Sequence, residues 1–254
     1  MIFADAAVPL IGGHRGASAL APENTFAAFD LALAYGAELM EFDVHLTQDA
    51  QLAVHHDFTT ERTAGQNLPL GHSTLEELRQ LEVGSWFGPR YAGQKIPTLS
   101  EVLDRYADSV YLNVEIKAGE FLYPGIAEKV AEAILSKQLQ RRAIVSCFDW
   151  DTIAWLRKIA PSIRTGLLAH DRPDDTIMHG YMMGATAVHL DSCLITAERV
   201  HQAHNIGMAV LAWTVNERLE MERVVELGVD AVLSDYPQRL CALVRERRVA
   251  ELVC

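Results

Sequence analysis

Val110-Tyr-Leu-Asn-Val-Glu-Ile-Lys117 is the stretch on which the fold turns. Val110, Leu112, Val114 and Ile116 share one face of a strand, and Tyr111, Asn113, Glu115 and Lys117 share the other. Leu39-Met-Glu-Phe-Asp-Val-His-Leu46 repeats the pattern, with Met40, Phe42, Val44 and Leu46 set against Glu41, Asp43 and His45. Alternation alone would fit an antiparallel sheet with one wet face. The surroundings argue for something else. Short β-rich runs at 8–13, 39–46, 52–56, 110–117, 142–147, 164–169, 186–190, 208–215 and 231–234 alternate with helical stretches. That order predicts a parallel sheet, and a chain of 254 residues suits an α/β TIM (β/α)8 barrel. In such a barrel the apolar parity faces the helices, which turns Glu41, Asp43, Glu115 and Lys117 inward near strand C-terminal ends. Charges there are costly unless they are paired or hold a metal.

Nine runs are one too many for eight staves. The connection at 45–51 is shorter than the ~10 residues a parallel crossover takes, so 39–46 and 52–56 are expected to form an antiparallel hairpin or one irregular unit. Residues 57–98 are long for a connection, rich in Gly and Pro, and carry one short helix; they are expected to be a small cap subdomain inserted over the site. The expectation is one barrel domain over residues 1–254, interrupted at about 57–98. A helix is predicted over 23–35, with Pro22 at its entrance and Gly36 past its end. Thr74-Leu-Glu-Glu77 and Thr98-Leu-Ser-Glu101 read as capping boxes.

Half the residues are hydrophobic and 22% are charged, the balance of a globular protein. With 22 basic and 34 acidic residues the net charge is −12, which makes nucleic acid and anionic lipid surfaces poor partners. Cys147, Cys193, Cys241 and Cys254 show no CxxC spacing, so metal-thiolate and disulfide-scaffold readings fail. Free thiols, no apolar run near ~18 residues, and an N-terminus, Met1–Leu10, without basic residues lead to the expectation of a cytoplasmic protein without a membrane anchor.

Glu41, Asp43 and Glu115 can converge from two strands. Clustered carboxylates repel one another unless a cation sits between them, and an all-oxygen set suits one divalent ion, Mg²⁺ or Ca²⁺. The first strand ends in Gly12-Gly13-His14-Arg15-Gly16, whose glycines allow a sharp turn at a barrel mouth. Arg15 offers a planar fork for phosphate oxygens, and His14 can move a proton near neutral pH. His55-His56-Asp57 brings a second histidine to another strand end. A single histidine is usually structural; two with three carboxylates, an Arg and a Lys make a constellation. His72, His170, His179, His201 and His204 fall in loops or on helix faces and read as solvated, whereas His189 and Trp213 are candidates for the pocket wall. The set fits phosphodiester cleavage, which needs the anion neutralised, a nucleophile activated and a leaving oxygen protonated. A metal on the carboxylates serves the first need, Arg15 and Lys117 bind the non-bridging oxygens, and His14 and His56 form the acid–base pair.

The chain resembles the glycerophosphodiester phosphodiesterase family. The matching segments are His14-Arg15-Gly16, Pro22-Glu23-Asn24-Thr25, Glu41-Phe-Asp43-Val44-His-Leu-Thr47, His56-Asp57 with Arg62-Thr63, Asn113-Val-Glu115-Ile-Lys117 and Trp213-Thr214-Val-Asn216. They follow the family's order over about 200 residues. The resemblance implies a TIM barrel with a cap, a divalent cation on Glu41, Asp43 and Glu115, and His14 and His56 as acid and base. It implies a small glycerophosphodiester substrate, hydrolysed to sn-glycerol 3-phosphate and an alcohol. The short length is similar to the cytosolic bacterial branch. One departure lies in Phe58-Thr-Thr-Glu-Arg-Thr-Ala64, where the family usually has a Leu and then Arg-Thr-Thr. The rival readings are a lysophospholipase D-like enzyme using Trp86, Phe87 and Tyr91 as an apolar groove, a non-catalytic phosphate-ligand binder, and a Schiff-base enzyme using Lys117.

Overall fold

The computed structural model describes residues 9–251. Nine strands run in the order β1 (Leu10–His14), β2 (Leu39–Leu46), β3 (Leu52–Val54), β4 (Tyr111–Ile116), β5 (Ala143–Cys147), β6 (Arg164–Ala169), β7 (Ala187–Asp191), β8 (Ala209–Trp213) and β9 (Ala231–Ser234). Eight of them are parallel neighbours in the cyclic order β1-β2-β4-β5-β6-β7-β8-β9, closed where β9 meets β1. The chain is a TIM barrel. The surplus strand is β3, which pairs antiparallel with β2 through Val44↔Val54 and Leu46↔Leu52, as the short connection requires.

The two parities separate as the alternation predicts. Met40, Phe42, Val44, Leu112, Val114 and Ile116 join the large core between strands and helices. Leu10, Leu39, Ile144, Ala187, Ala209, Leu211, Ala231 and Leu233 form a second, smaller cluster inside the ring. This plug fills the barrel floor and leaves Glu41, Asp43, Glu115 and Lys117 at its C-terminal mouth.

The helix predicted over 23–35 is shorter, Phe26–Ala34. Thr25 is its N-cap, with its hydroxyl accepting from the Ala28 N–H at 3.4 Å and donating to the Pro22 carbonyl at 2.6 Å. Asn24 sits at φ 55° outside the helix, where its amide is used elsewhere. The predicted capping boxes at Thr74/Glu77 and Thr98/Glu101 both form.

The stretch 57–98 leaves and rejoins the barrel at one point, where the Val54 N–H donates to the Pro97 carbonyl at 2.8 Å. Besides the helix Leu75–Gln80 it holds a one-turn helix, Glu61–Ala64, which the sequence reading omits. Ala53, Leu70, Leu78, Val83 and Ile96 bury a separate small cluster beneath it. Cys147, Cys193 and Cys241 are free thiols, and Cys254, like Met1–Val8, lies outside the described residues. Among the described residues no helix is long and apolar enough to cross a membrane.

Candidate active site

The inward charges gather because three neighbouring staves are in matched register. His14 is level with Glu41 across β1 and β2, and Asp43 is level with Glu115 across β2 and β4. One oxygen from each of Glu41, Asp43 and Glu115 lies within 4.8 Å of the others, and all three residues are buried. Burial and the neighbouring Asp43 charge push the Glu41 carboxyl up to about 8. Glu115 is raised for the same two reasons. Burial acts against ionised Asp43 too, but Lys117 and Arg15 outweigh it and hold this carboxyl well below its usual range. Glu41 Oε2 accepts from the Arg15 N–H at 2.8 Å, while Oε1 is buried without a hydrogen-bond partner. An orphaned oxygen amid three converging buried carboxylates is the donor set that a hard divalent cation fits.

The turn after β1 aims this backbone N–H. Gly16 takes φ +84°, and a Cβ there would stand 2.6 Å from the Ala28 backbone. Only glycine lets the loop fold this tightly onto the first helix. Asn24 then reaches Asp43, with its Nδ2 donating to Oδ2 at 2.8 Å and its Oδ1 accepting from the Asp43 N–H at 3.3 Å. The sequence reading quotes Asn24 within a motif without a task; fixing Asp43 is that task.

Each of the two histidines is held by an aspartate. His14 Nδ1 lies 2.7 Å from Asp235 Oδ1, and His56 Nδ1 lies 2.6 Å from Asp57 Oδ1. Asp235 is held down to about 2: the burial that would raise it is outweighed by His14. Asp57 also stays well below its usual range, because Arg62 and His56 outweigh burial. Ionised carboxylates only accept, so each Nδ1 carries the proton and Nε2 is left for chemistry. Nε2 of His14 stands 4.0 Å from Glu41 Oε2, turned toward the carboxylates. Asp235 itself accepts from Ser18 Oγ at 2.7 Å and Asn216 Nδ2 at 2.6 Å. The sequence reading missed Asp235, which directly follows β9, because the in-strand alternation that marks Glu115 within β4 does not extend to a residue beyond the strand.

Lys117 pairs with Glu115 at 2.7 Å and Asp43 at 3.4 Å. Burial would lower its pKa, but Asp43 and Glu115 outweigh it and keep the ammonium charged. That state is wrong for a Schiff-base nucleophile. Arg15 lies 3.5 Å from Asp43 through Nε, which has no hydrogen-bond partner. Phe148, Leu168, Trp213 and Leu233 face these charges across a cavity of about 190 Å³, lined also by His14, Arg15, Glu41, His56, Asn113, Glu115 and Lys117. Trp213 packs edge-on to Phe148 at 5.6 Å, and its indole Nε1 is buried without a partner.

Two inward-parity histidines are not among the lining residues. His189 is fully buried and its ring lies against Gly166, where a Cβ would come within 2.4 Å of Nε2. It occupies space that Gly166 leaves inside the barrel rather than the cavity wall. His45 is kept neutral by burial, with its pKa at about 3. Its Nε2–H donates to the His56 carbonyl at 3.1 Å and its Nδ1 accepts from the Tyr123 hydroxyl at 2.8 Å. His45 thus braces the backbone that carries His56.

The glycerophosphoryl diester phosphodiesterase family matches residues 14–239, a span bounded by the first histidine and the helix after β9. The chain belongs to this family. A relative from Caldanaerobacter subterraneus subsp. tengcongensis named glycerophosphodiester phosphodiesterase is 39% identical over 238 residues, covering 93% of this chain and 98% of that one. An Oleispira antarctica phosphodiesterase, solved in complex with the product sn-glycerol-3-phosphate, superposes with a TM-score of 0.81 at 29% identity, covering 93% and 97% of the two chains. A glycerophosphodiester phosphodiesterase from Agrobacterium tumefaciens superposes at 0.80 with 27% identity, covering 91% and 98%. The barrel and the enzyme class are those of these relatives.

Proposed function

We propose that this protein hydrolyses small glycerophosphodiesters to sn-glycerol 3-phosphate and an alcohol. The observation that carries the proposal is the buried triad Glu41, Asp43 and Glu115, of which Glu41 and Glu115 line one cavity with two aspartate-held histidines. The triad would hold one divalent cation, Mg²⁺ or Ca²⁺, which when bound supplies positive charge to the phosphate and acidifies an oxygen nucleophile. Arg15 and Lys117 line the same cavity and bind the non-bridging oxygens. His14 and His56 serve as the acid–base pair through Nε2, each step contributing ~10²–10⁴-fold. Trp213, Phe148 and Leu168 pack against the carbon skeleton, and the free indole N–H of Trp213 is available to an alcohol oxygen. At about 190 Å³ the cavity is below the ~300–1,000 Å³ of pockets that enclose drug-sized ligands, which favours a glycerol-sized group over an acyl-bearing one inside it. The described residues, 9–251, act as one barrel unit, with 57–98 as its insertion; the separate cluster under Leu70 and Leu78 supports this division.

The test is release of glycerol 3-phosphate from glycerophosphocholine with Mg²⁺, with Ca²⁺ and with EDTA, beside lysophosphatidylcholine. Release that needs metal and is faster on glycerophosphocholine is expected. Full activity in EDTA would remove the triad's role, faster cleavage of the lysolipid would replace the substrate, and binding without turnover would make the protein a binder.

A further inference from the structure

Arg62-Thr63 belongs to the motifs that match the family, yet Arg62 lines no part of the cavity. It projects from the one-turn helix Glu61–Ala64 of the insertion and uses three nitrogens on two carboxylates. Nε donates to Asp57 Oδ2 at 2.7 Å, Nη1 to Glu23 Oε2 at 2.9 Å and Nη2 to Glu23 Oε1 at 2.7 Å. Beyond Asp57 stands His56, bonded to the other carboxylate oxygen at 2.6 Å. Beyond Glu23 stands Arg15, whose Nη1 donates to Glu23 Oε1 at 3.1 Å. The Trp86 ring lies 5.5 Å from the guanidinium centre. We propose that Arg62 is a positioning residue that fixes His56 and Arg15 together, so that the insertion sets the distance between the proton-transferring histidine and the phosphate-binding arginine.

The physical case rests on what holds each partner. Arg15 and Asp57 leave their strands on separate loops, after β1 and after β3, and Glu23 and Asp57 are joined only through Arg62 among the hydrogen bonds described. A surface ion pair fixes little, since two flexible side chains trade its energy for entropy. A guanidinium bidentate on one carboxylate and bonded to a second has a planar fork that tolerates one geometry. Lysine, a point charge without a plane, can satisfy one carboxylate but not both edges of this ladder. Acid–base catalysis depends on hydrogen-bond reach, and a displacement of about 1 Å can cost 10²-fold in rate.

The experiment compares Arg62→Ala, Arg62→Lys and Glu23→Gln with the parent chain. It rests on the proposed reaction for its kinetic arm, whereas ring ¹⁵N spectra of His56 need no substrate. Arg62→Ala is expected to lose about 10²-fold in kcat, with KM raised because Arg15 is freed, and low, non-denaturing guanidinium should restore part of the rate. The His56 ring should change from the single Nδ1–H form to exchange between tautomers. Arg62→Lys should recover less than a tenth of the loss, and Glu23→Gln should raise KM more than it lowers kcat. If Arg62→Ala melts below the assay temperature, the lysine and glutamine variants carry the comparison. An unchanged His56 spectrum with kcat within threefold of the parent would overturn the proposal, as would full recovery by lysine or a rate loss that guanidinium does not touch. A chain that turns over no glycerophosphodiester, yet shows the His56 change, would refute the reaction and leave the positioning role intact.

Discussion

Replacing Asp235 by Asn exchanges one carboxylate oxygen for an NH₂ and should disable His14. In the native arrangement Oδ1 of Asp235 faces His14 Nδ1 and Ser18 Oγ, while Oδ2 faces Asn216 Nδ2. The new amide must place its NH₂ on one of these sides. Facing Asn216, it would set donor against donor. Asn216 cannot turn over cheaply, because its Oδ1 already accepts from the Asp235 N–H at 2.9 Å and Ser234 Oγ at 3.1 Å. Turning it forfeits two hydrogen bonds, about 1 kcal/mol each, and leaves buried groups unpaired at about 1–3 kcal/mol more. Facing His14, the NH₂ finds the Ser18 oxygen as an acceptor, and the single Ser18 O–H, shared with Asp235 in the parent, is left to the His14 carbonyl at 2.8 Å. The one group that must then change is the imidazole, which gives up its Nδ1 proton and carries it on Nε2. That ring is neutral, opposed in charging, and has no free Nε2 lone pair for accepting a proton. Loss of its acid–base function costs ~10²–10⁴-fold in kcat, with KM little changed because Arg15 and Lys117 are untouched. Steady-state kinetics on glycerophosphocholine with metal present, beside a thermal melt, measure this. A folded Asp235→Asn enzyme with kcat within threefold of the parent would show that Asp235 does not set the tautomer.

Three other outcomes follow from the same geometry. Asn24→Ala removes two hydrogen bonds from Asp43 and should weaken divalent-cation binding by ~10–100-fold, which titration calorimetry reads directly. Glu41 is raised to about 8 in the metal-free protein, and an acid raised on folding contributes stability at low pH that is lost as pH climbs from its unfolded value, ~4.3, through 8. Metal-free melts should therefore fall across that window, and cation binding should tighten over it while releasing a proton, seen as buffer-dependent binding heat; flat profiles would put Glu41 in its ordinary range. Gly16→Ala forces a Cβ to 2.6 Å from the Ala28 backbone at φ +84° and should cost more than ~1 kcal/mol with loss of activity, measured by denaturant titration.

Much of this architecture can be read without coordinates. The β/α alternation determines the barrel, the brevity of 45–51 marks β3 as the odd strand, and period two in 39–46 and 110–117 separates core from mouth. These signals are local and survive folding because barrel staves are regular. What escapes notice is long-range or depends on rotamers. Asp235 is 221 residues from His14, so its type was visible but its partner was not. His189 carries the right parity, yet its ring drops into the gap left by Gly166, a choice made by a neighbour on another strand. Asn24 shortens the predicted helix because its amide is spent on Asp43, which no local propensity anticipates.

The ring closes where β9 meets β1, and that seam runs between His14 and Asp235. On the proposed role of His14, full catalytic competence is thus among the last properties the growing polypeptide acquires. A nascent chain that has emerged through β8 already carries its acidic triad, its lysine and both histidines, yet His14 lacks its partner. On that proposed role, turnover reports that the final stave has docked, and a product truncated before residue 235 should lose the ~10²–10⁴-fold that His14 supplies even if the rest of its staves assemble.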